Sequence, residues 1–582
     1  MAAALTGRRF FLRRHAPDEP FLSDRRLPTN VAAMSEQPSR DPRLAAAVDA
    51  VVAALQEKSD RALAIRLART ALGEGLVHPL FLNLRAFWLE ERGRLQEAAT
   101  DLEHAHRLAP DDVPVLNALG LILTKLDRAP EAAKVFRTAI AHQPDFVPAY
   151  FNLARACDMS GELDEARHCY ERAAELSADR PSAAEPLAGL AWLASRRGDW
   201  DEARAYADRV LALAPAQTTA LLAKIRADVQ TGNLDAAETQ LQQFFAMPSL
   251  SVDDHYHAMG ALGDLRHRQG RYAEAFTAYA DSNARWRKAA PARFREGETV
   301  LQSVRWMRRY YEAVPAVRAS ATALSHPAGE AARHVFLLGF IRSGTTLLEQ
   351  VLACHPDVVT MEEKEALTDA GHFLADAGAL DRLRTLSADQ RDAYARAYWQ
   401  RVKEMGFEPA NKVFVDKQPF HTTRLPLIAT LFPSAKILFA VRDPRDVILS
   451  CFRQRFRVTA YTYELLTLED AARFYDAYMA LAARLREVLP LDLHEIRHED
   501  LVDDFEGEVG KVCEFLGIAW TDAMRDFAER RKVRAIATPS AAQIAKGLNR
   551  EGIGQWRRYR EQLAPILPIL RPWAERFGYP AD

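Results

Sequence analysis

The sequence predicts a multidomain chain: an all-α repeat solenoid, then an α/β domain with a parallel sheet and a phosphate-gripping loop. Two observations carry this. A turn mark, usually glycine, returns every 34 to 38 residues between positions 93 and 270. Near residue 335 the pattern changes to apolar strand, glycine-rich loop and helix, and a second apolar strand near 437 ends in arginines. A length of 582 residues asks for roughly two to four domains.

Composition narrows the class. Lys and Arg total 77 and Asp and Glu 79, a net charge of -2, which argues against nucleic-acid binding. Apolar residues make 48% and charged residues 27%, a globular balance. The five cysteines (Cys157, Cys169, Cys354, Cys451, Cys513) form no CxxC pair, which argues against a disulfide scaffold or a cysteine zinc site. Apolar runs such as 335–341 are too short to span a bilayer.

Residues 1–43 differ from the rest. Arg8, Arg9, Arg13 and Arg14 come without an acid, and Pro17, Pro20, Pro28, Pro38 and Pro42 break helices. There is no apolar signal core. The expectation is a disordered tail, or a start extended upstream of an initiator at Met34.

The array is expected over 44–290. Its turn marks are Gly93, Asp127, Gly161, Gly198, Gly232 and Gly270, at intervals of 34, 34, 37, 34 and 38. Five residues after each stands Ala98, Ala132, Ala166, Ala203, Ala237 or Ala275. Prolines fall in phase at Pro110, Pro144, Pro181 and Pro215. Such marks describe stacked helix–turn–helix units: the turn residue frees the backbone, and the small alanine lets two helices approach. The pattern resembles tetratricopeptide repeats, with 45–78 a degenerate capping unit. That resemblance implies a concave surface for a protein or peptide partner; scaffolding or homodimerisation is the alternative. Residues 291–330 read as a helical linker, and 331–582 as the second domain.

In that domain Val335-Phe-Leu-Leu reads as a buried strand, followed by Gly339-Phe-Ile-Arg-Ser-Gly344-Thr-Thr and a helix. Strand, glycine loop and helix aim backbone N–H groups and a helix dipole at a phosphate. An ordinary turn is the alternative, but two glycines, an arginine and three hydroxyls favour the phosphate. The loop misses a Walker A sequence because Thr345 occupies the lysine position, which counts against ATP or GTP hydrolysis.

Arg342-Ser-Gly-Thr-Thr, with His355-Pro356 and the paired Glu362-Glu363, resembles the PAPS-dependent sulfotransferases, the tyrosylprotein sulfotransferases in particular. The resemblance runs from about 334 to 560. It implies that Arg342, Ser343, Gly344, Thr345 and Thr346 wrap the 5′-phosphosulfate of PAPS, with no metal needed.

The second strand, Ile437-Leu-Phe-Ala-Val, ends in Arg442-Asp-Pro-Arg445. Arg442 stands at a strand's C-terminal end, where open α/β sheets bind ligands; a surface Arg–Asp network with Asp443, Arg445 and Asp446 is the alternative. The eight-residue spacing of Arg442 and Ser450 is similar to the family's 3′-phosphate site. A further family arginine falls at Gln454, where Arg453 or Arg455 is expected to substitute.

The resemblance also assigns chemistry. Glu363 is the expected general base, 21 residues after Arg342, with Glu362 the other candidate; the charged neighbours Glu362, Lys364 and Glu365 make a solvated turn the alternative. Lys417, in Asp416-Lys-Gln-Pro-Phe420, is expected at a strand end facing the cleft as a compact charge. The late segment Thr538-Pro-Ser540 through Lys546 to Gln555-Trp556-Arg557-Arg558 resembles the family's cover over the cofactor. Ser540 is expected at the leaving oxygen and Lys546 in the cover, while Arg557 or Arg558 replaces a family lysine found here as Gln555. His498 matches a tyrosine near the adenine. The implied activity is sulfuryl transfer from PAPS to a hydroxyl, tyrosine of a protein or peptide foremost, in the cytoplasm. A P-loop phosphoryl-transfer enzyme and a scaffold with an inactive transferase domain are the alternatives.

Overall fold

The computed structural model describes residues 41–56, 60–177, 181–291, 294, 299–315, 330–530, 540–544 and 546–580. The expected tail therefore lies almost entirely outside the described residues, as do Thr538 and Pro539.

From Pro42–Gln56 to Tyr272–Ala289 the chain forms seven helix pairs. The turn marks behave as their phase demands. Gly93, Gly161, Gly198, Gly232 and Gly270 have φ between 71° and 90°, and Asp127 adopts the same left-handed turn at 66°. The six phased alanines are all fully buried at 0% exposure, where neighbouring helices touch. The first helix begins at Pro42, inside the stretch expected to be tail.

The second domain holds a five-stranded sheet of order β2-β3-β1-β4-β5. Its strands are β1 (Arg333–Gly339), β2 (Val358–Glu362), β3 (Val413–Lys417), β4 (Lys436–Val441) and β5 (Asp492–Arg497). Every pairing is parallel. Both faces are covered by apolar helices, so β1 reads as a continuous apolar run rather than an alternating one. The connection from β1 runs to β2 on one side, and the connection from β3 crosses β1 to reach β4 on the other. The crevice this opens sits at the strands' C-terminal ends.

The stretch expected as a linker contains the helix Val300–Glu312. It is no free connector. Val300, Val304, Met307 and Tyr311 form a stripe at helical spacing and are buried in the α/β core.

The array also folds back onto the second domain. Near its C-terminal end, Asn283 Nδ2 donates to the Phe452 carbonyl at 2.9 Å, and His267 meets the Tyr559 hydroxyl at 2.8 Å. Mid-array, Lys364 Nζ donates to the Ser160 carbonyl at 2.6 Å and Arg457 pairs with Asp127. Between these two zones lies a cavity of about 3720 Å³, lined by both parts. Among the described residues no helix is long and apolar enough to cross a membrane.

Candidate functional site

The site begins where β1 stops. Gly339 has φ 152°, and a Cβ there would lie 2.5 Å from the Ala440 carbonyl oxygen of β4. Gly344 caps the helix Thr345–Leu352 in the left-handed region at φ 96°. The first turn of a helix carries N–H groups without intrahelical acceptors and a partial positive charge. Ser343, Thr345 and Thr346 are buried around this turn.

Arg342 has φ 68°, and its guanidinium ties three segments together. Nε donates to Ser450 Oγ at 2.9 Å, Nη1 to Ser540 Oγ, and Nη2 to Gln543 Oε1 at 2.6 Å. Burial lowers its pKa to about 10, and the neighbouring Arg442 charge works in the same direction. Arg442 leaves β4 and donates from Nη1 to the Arg342 carbonyl at 3.0 Å and from Nη2 to the Gly552 carbonyl. Its Nε is buried and makes no hydrogen bond among the described residues. Ser450 lies two turns into the helix Pro444–Arg453. His498 abuts the loop: a Cβ on Gly344 would lie 2.7 Å from its Nδ1. Burial, then the charges of Arg442 and Arg342, lower its pKa to about 3, so the ring is neutral.

On the neighbouring strand, Lys417 ends β3 in register with Leu337 of β1; it was expected to face the cleft, but it is fully buried and absent from the cavity lining, where Glu363 stands in front of it. Its Nζ is 2.7 Å from Glu363, 3.5 Å from Glu349 and 3.6 Å from Glu362. Burial opposes its charge, but these three carboxylates hold its pKa above the ordinary lysine value. Glu363 follows β2 with φ 47°, and its N–H donates to the Lys417 carbonyl at 2.8 Å. Its side chain is 39% exposed, and the residue lines the cavity.

Two of the expected phosphate ligands have other partners. Arg455 lines the cavity. Its Nη2 pairs with Asp264 of the array at 2.6 Å. Burial alone would raise the Asp264 pKa, but the Arg455 and Arg453 charges hold it below the usual carboxylate range. Arg453 lies over the Tyr279 and Tyr559 rings. The physical reason is that a buried carboxylate on the array needs a cation, and both neighbours of Gln454 are drawn to that junction. Arg557 is exposed, packs on the Trp556 ring at 5.2 Å, and is absent from the cavity lining, which includes Arg558. Lys546 lines the cavity and pairs with Glu551 at 2.5 Å.

Three residues escaped the sequence reading. Asp446 accepts from the N–H groups of Gly554 at 2.6 Å and Trp556 at 2.8 Å, anchoring the late segment. Gln543 holds Arg342. Glu349 lies beneath Lys417; the one available signal was a lone charge beside the apolar Leu347, Leu348, Val351 and Leu352 of its helix. Elsewhere, Cys157, Glu162 and Glu165 are close enough to hold a metal ion. The Arg137 guanidinium already occupies that cluster, bonding Glu165 at 2.6 Å and Glu162 at 2.9 Å.

Residues 334–522 match the family model described as the sulfotransferase family. Residues 146–216, 194–244 and 222–291 match tetratricopeptide-repeat models. An uncharacterized protein of Aquifex aeolicus (strain VF5) is 24% identical over 387 residues, 64% of this chain and 48% of the other. The chain thus spans about half the length of that relative. Protein-tyrosine sulfotransferase 2 of Gallus gallus is 26% identical over 269 residues, 42% of this chain and 69% of the other. Among solved structures, the sulfotransferase domain from the Synechococcus PCC 7002 olefin synthase is 21% identical with a TM-score of 0.25, covering 42% of this chain and 99% of that one. The chain joins a tetratricopeptide-repeat array to a domain of the sulfotransferase family.

Proposed function

We propose that the chain transfers the sulfuryl group of PAPS to a hydroxyl, foremost a tyrosine in a protein or peptide presented by the array. The observation that carries this reading is the meeting of Glu363 and Lys417. They stand 54 residues apart in sequence and 2.7 Å apart in space, at the C-terminal edge of the sheet beside the glycine loop. We take the array as 44–290 and the transferase as 331–582, with the helix Val300–Glu312 of the intervening segment belonging to the transferase core.

The residues present suit a bisphosphate donor. The loop cradle at Gly344 has room only for a hydrogen, the first turn of its helix supplies N–H donors, and Arg342 and Arg442 bring two cations to the cavity wall, with Lys417 buried behind Glu363. PAPS supplies an activated sulfuryl group whose leaving group is a phosphate oxygen. Glu363 takes the proton of the attacking hydroxyl. Lys417, pinned by burial, and Ser540, held by Arg342, stabilise charge at the leaving oxygen. Arg442 and Ser450 hold the 3′-phosphate. His498, neutral and half-buried, borders the adenine, and Lys546 covers the donor.

The acceptor reading rests on the shared cavity and on the protein-tyrosine sulfotransferase likeness. Array residues such as Arg155, Trp192 and Arg226 line the same space as Glu363. An acceptor therefore reaches the base along the array's concave side.

The test is a calorimetric titration with adenosine 3′,5′-bisphosphate and with ATP, followed by transfer of radiolabelled sulfate from PAPS to tyrosine-containing peptides. Preferred bisphosphate binding and labelled tyrosine are expected. Preferred ATP binding would overturn the donor assignment, and label in a lipid or glycan fraction would overturn the acceptor.

A further inference from the structure

Three carboxylates and one ammonium meet in a corner below the proposed reaction site, Glu363 at the cavity and Glu349 and Lys417 fully buried beneath it. Lys417 is 0% exposed and Glu349 1%. Glu349 Oε2 faces Lys417 Nζ at 3.5 Å and accepts no hydrogen bond among the described residues. With all four groups charged, three negative charges against one positive leave the corner at -2. A polyanionic donor must then bind next to it. Unscreened charge at that depth is costly, and a carboxyl relieves it by keeping its proton.

We propose that Glu349 is a positioning residue: by holding or releasing one proton it decides whether the Lys417 ammonium serves the donor or is drawn down among the carboxylates. The inference rests on the donor reading above. With Glu349 neutral, Lys417 has its short bond to Glu363 at the edge of the cavity, and the corner carries -1. With Glu349 ionised, a second carboxylate competes for the ammonium from below, and the corner repels the donor.

The surroundings leave Glu349 few other partners. From β2 come Glu362 and the Thr360 hydroxyl, from the turn Glu363, and from β3 Lys417. β1 presents Val335 and Leu337 to this helix, and the segment beyond 522 presents Met524 and Phe527. Burial first, then the Glu362 charge, raises the Glu349 pKa to about 7, with Lys417 opposing. A raised carboxyl pKa means a neutral group below about pH 7 and an ionised one above it. Donor affinity is therefore highest on the acid side and falls as pH rises, and binding above that value draws in a proton.

The experiment is calorimetry of the full chain with adenosine 3′,5′-bisphosphate between about pH 6 and about pH 8.5, in buffers of differing ionisation enthalpy. Wild type is expected to take up close to one proton on binding at the alkaline end, with affinity falling up to about tenfold per pH unit above pH 7. Glu349→Gln is expected to remove that uptake and flatten the profile, and Glu349→Asp to keep it. The phosphates' own titration has the opposite sign and is common to all three proteins. Bisphosphate binding by wild type without proton uptake would overturn the role of Glu349 while leaving the donor reading intact, and it requires no variant to fold. Equal uptake in wild type and Glu349→Gln would do the same. Failure to bind bisphosphate at any pH would overturn both.

Discussion

Replacing Arg455 by alanine separates a docking residue from a phosphate ligand. Arg455 and Asp264 are 191 residues apart in sequence and bonded at 2.6 Å, with side chains 11% and 19% exposed. Removing the cation leaves a largely buried carboxylate with the Tyr279 hydroxyl at 2.8 Å and the more distant Arg453. Breaking a buried pair from one side costs roughly 3–5 kcal/mol. The residual exposure and remaining hydrogen bond place this case at the lower end, about 3 kcal/mol. The loss is local to the junction, so backbone amide exchange in the helix Val252–Arg268 should accelerate by about a hundredfold. Asp264 has a depressed pKa in the folded protein. The stability it contributes is present above its unfolded value and is lost as pH falls through its folded value. The defect of the variant should accordingly be largest at neutral pH and shrink in acid, and adding Asp264→Asn should recover part of it. Bisphosphate affinity should stay within a factor of about two. A variant that keeps normal exchange but loses bisphosphate binding would refute the docking role and restore Arg455 to the phosphate site.

Three further outcomes are expected. Glu363→Gln should lower turnover by about 10²–10⁴-fold with bisphosphate binding nearly unchanged, and the defect should shrink for an acceptor of lower pKa such as a nitrophenol; single-turnover kinetics check both. Arg442→Ala should weaken the bisphosphate by about 2–5 kcal/mol in calorimetry and hardly affect a ligand lacking the 3′-phosphate, whereas equal losses would mean that its bond to the Arg342 carbonyl matters more. Gly344→Val should abolish bisphosphate binding, and adding His498→Ala should not rescue it, because the φ of 96° excludes a β-branched side chain even once the ring is removed.

The repeat array was legible because its signal is short-range. Each turn mark, including Asp127 standing in for glycine, and each buried alanine is set by contacts within one helix pair, so a period of 34 suffices to place them. The glycine loop was legible for the same reason: Gly339, Arg342 and Gly344 lie within six residues and share one backbone path. The helix Val300–Glu312 was visible as a helix but not as part of the α/β core, since the face it buries belongs to Leu468–Val488, far along the chain.

What the sequence determined by itself was therefore which residues form the repeats, the loop and three of the five strands, and which residue types gather near those strand ends; β2 and β5 were not read from it. The tertiary structure alone decided the partners of each charge. Arg453 and Arg455 both flank Gln454, and nothing local distinguishes a phosphate ligand from a junction cation; the choice is made by Asp264, which arrives from the array. Arg557 and Arg558 are adjacent, and the short helical turn Gln555–Tyr559 sends only the second to the cavity. Glu349 became notable only when β3 brought Lys417 above it. A charge takes its role from what compensates it within a few ångströms, and in a parallel sheet those neighbours come from strands and helices tens to hundreds of residues apart.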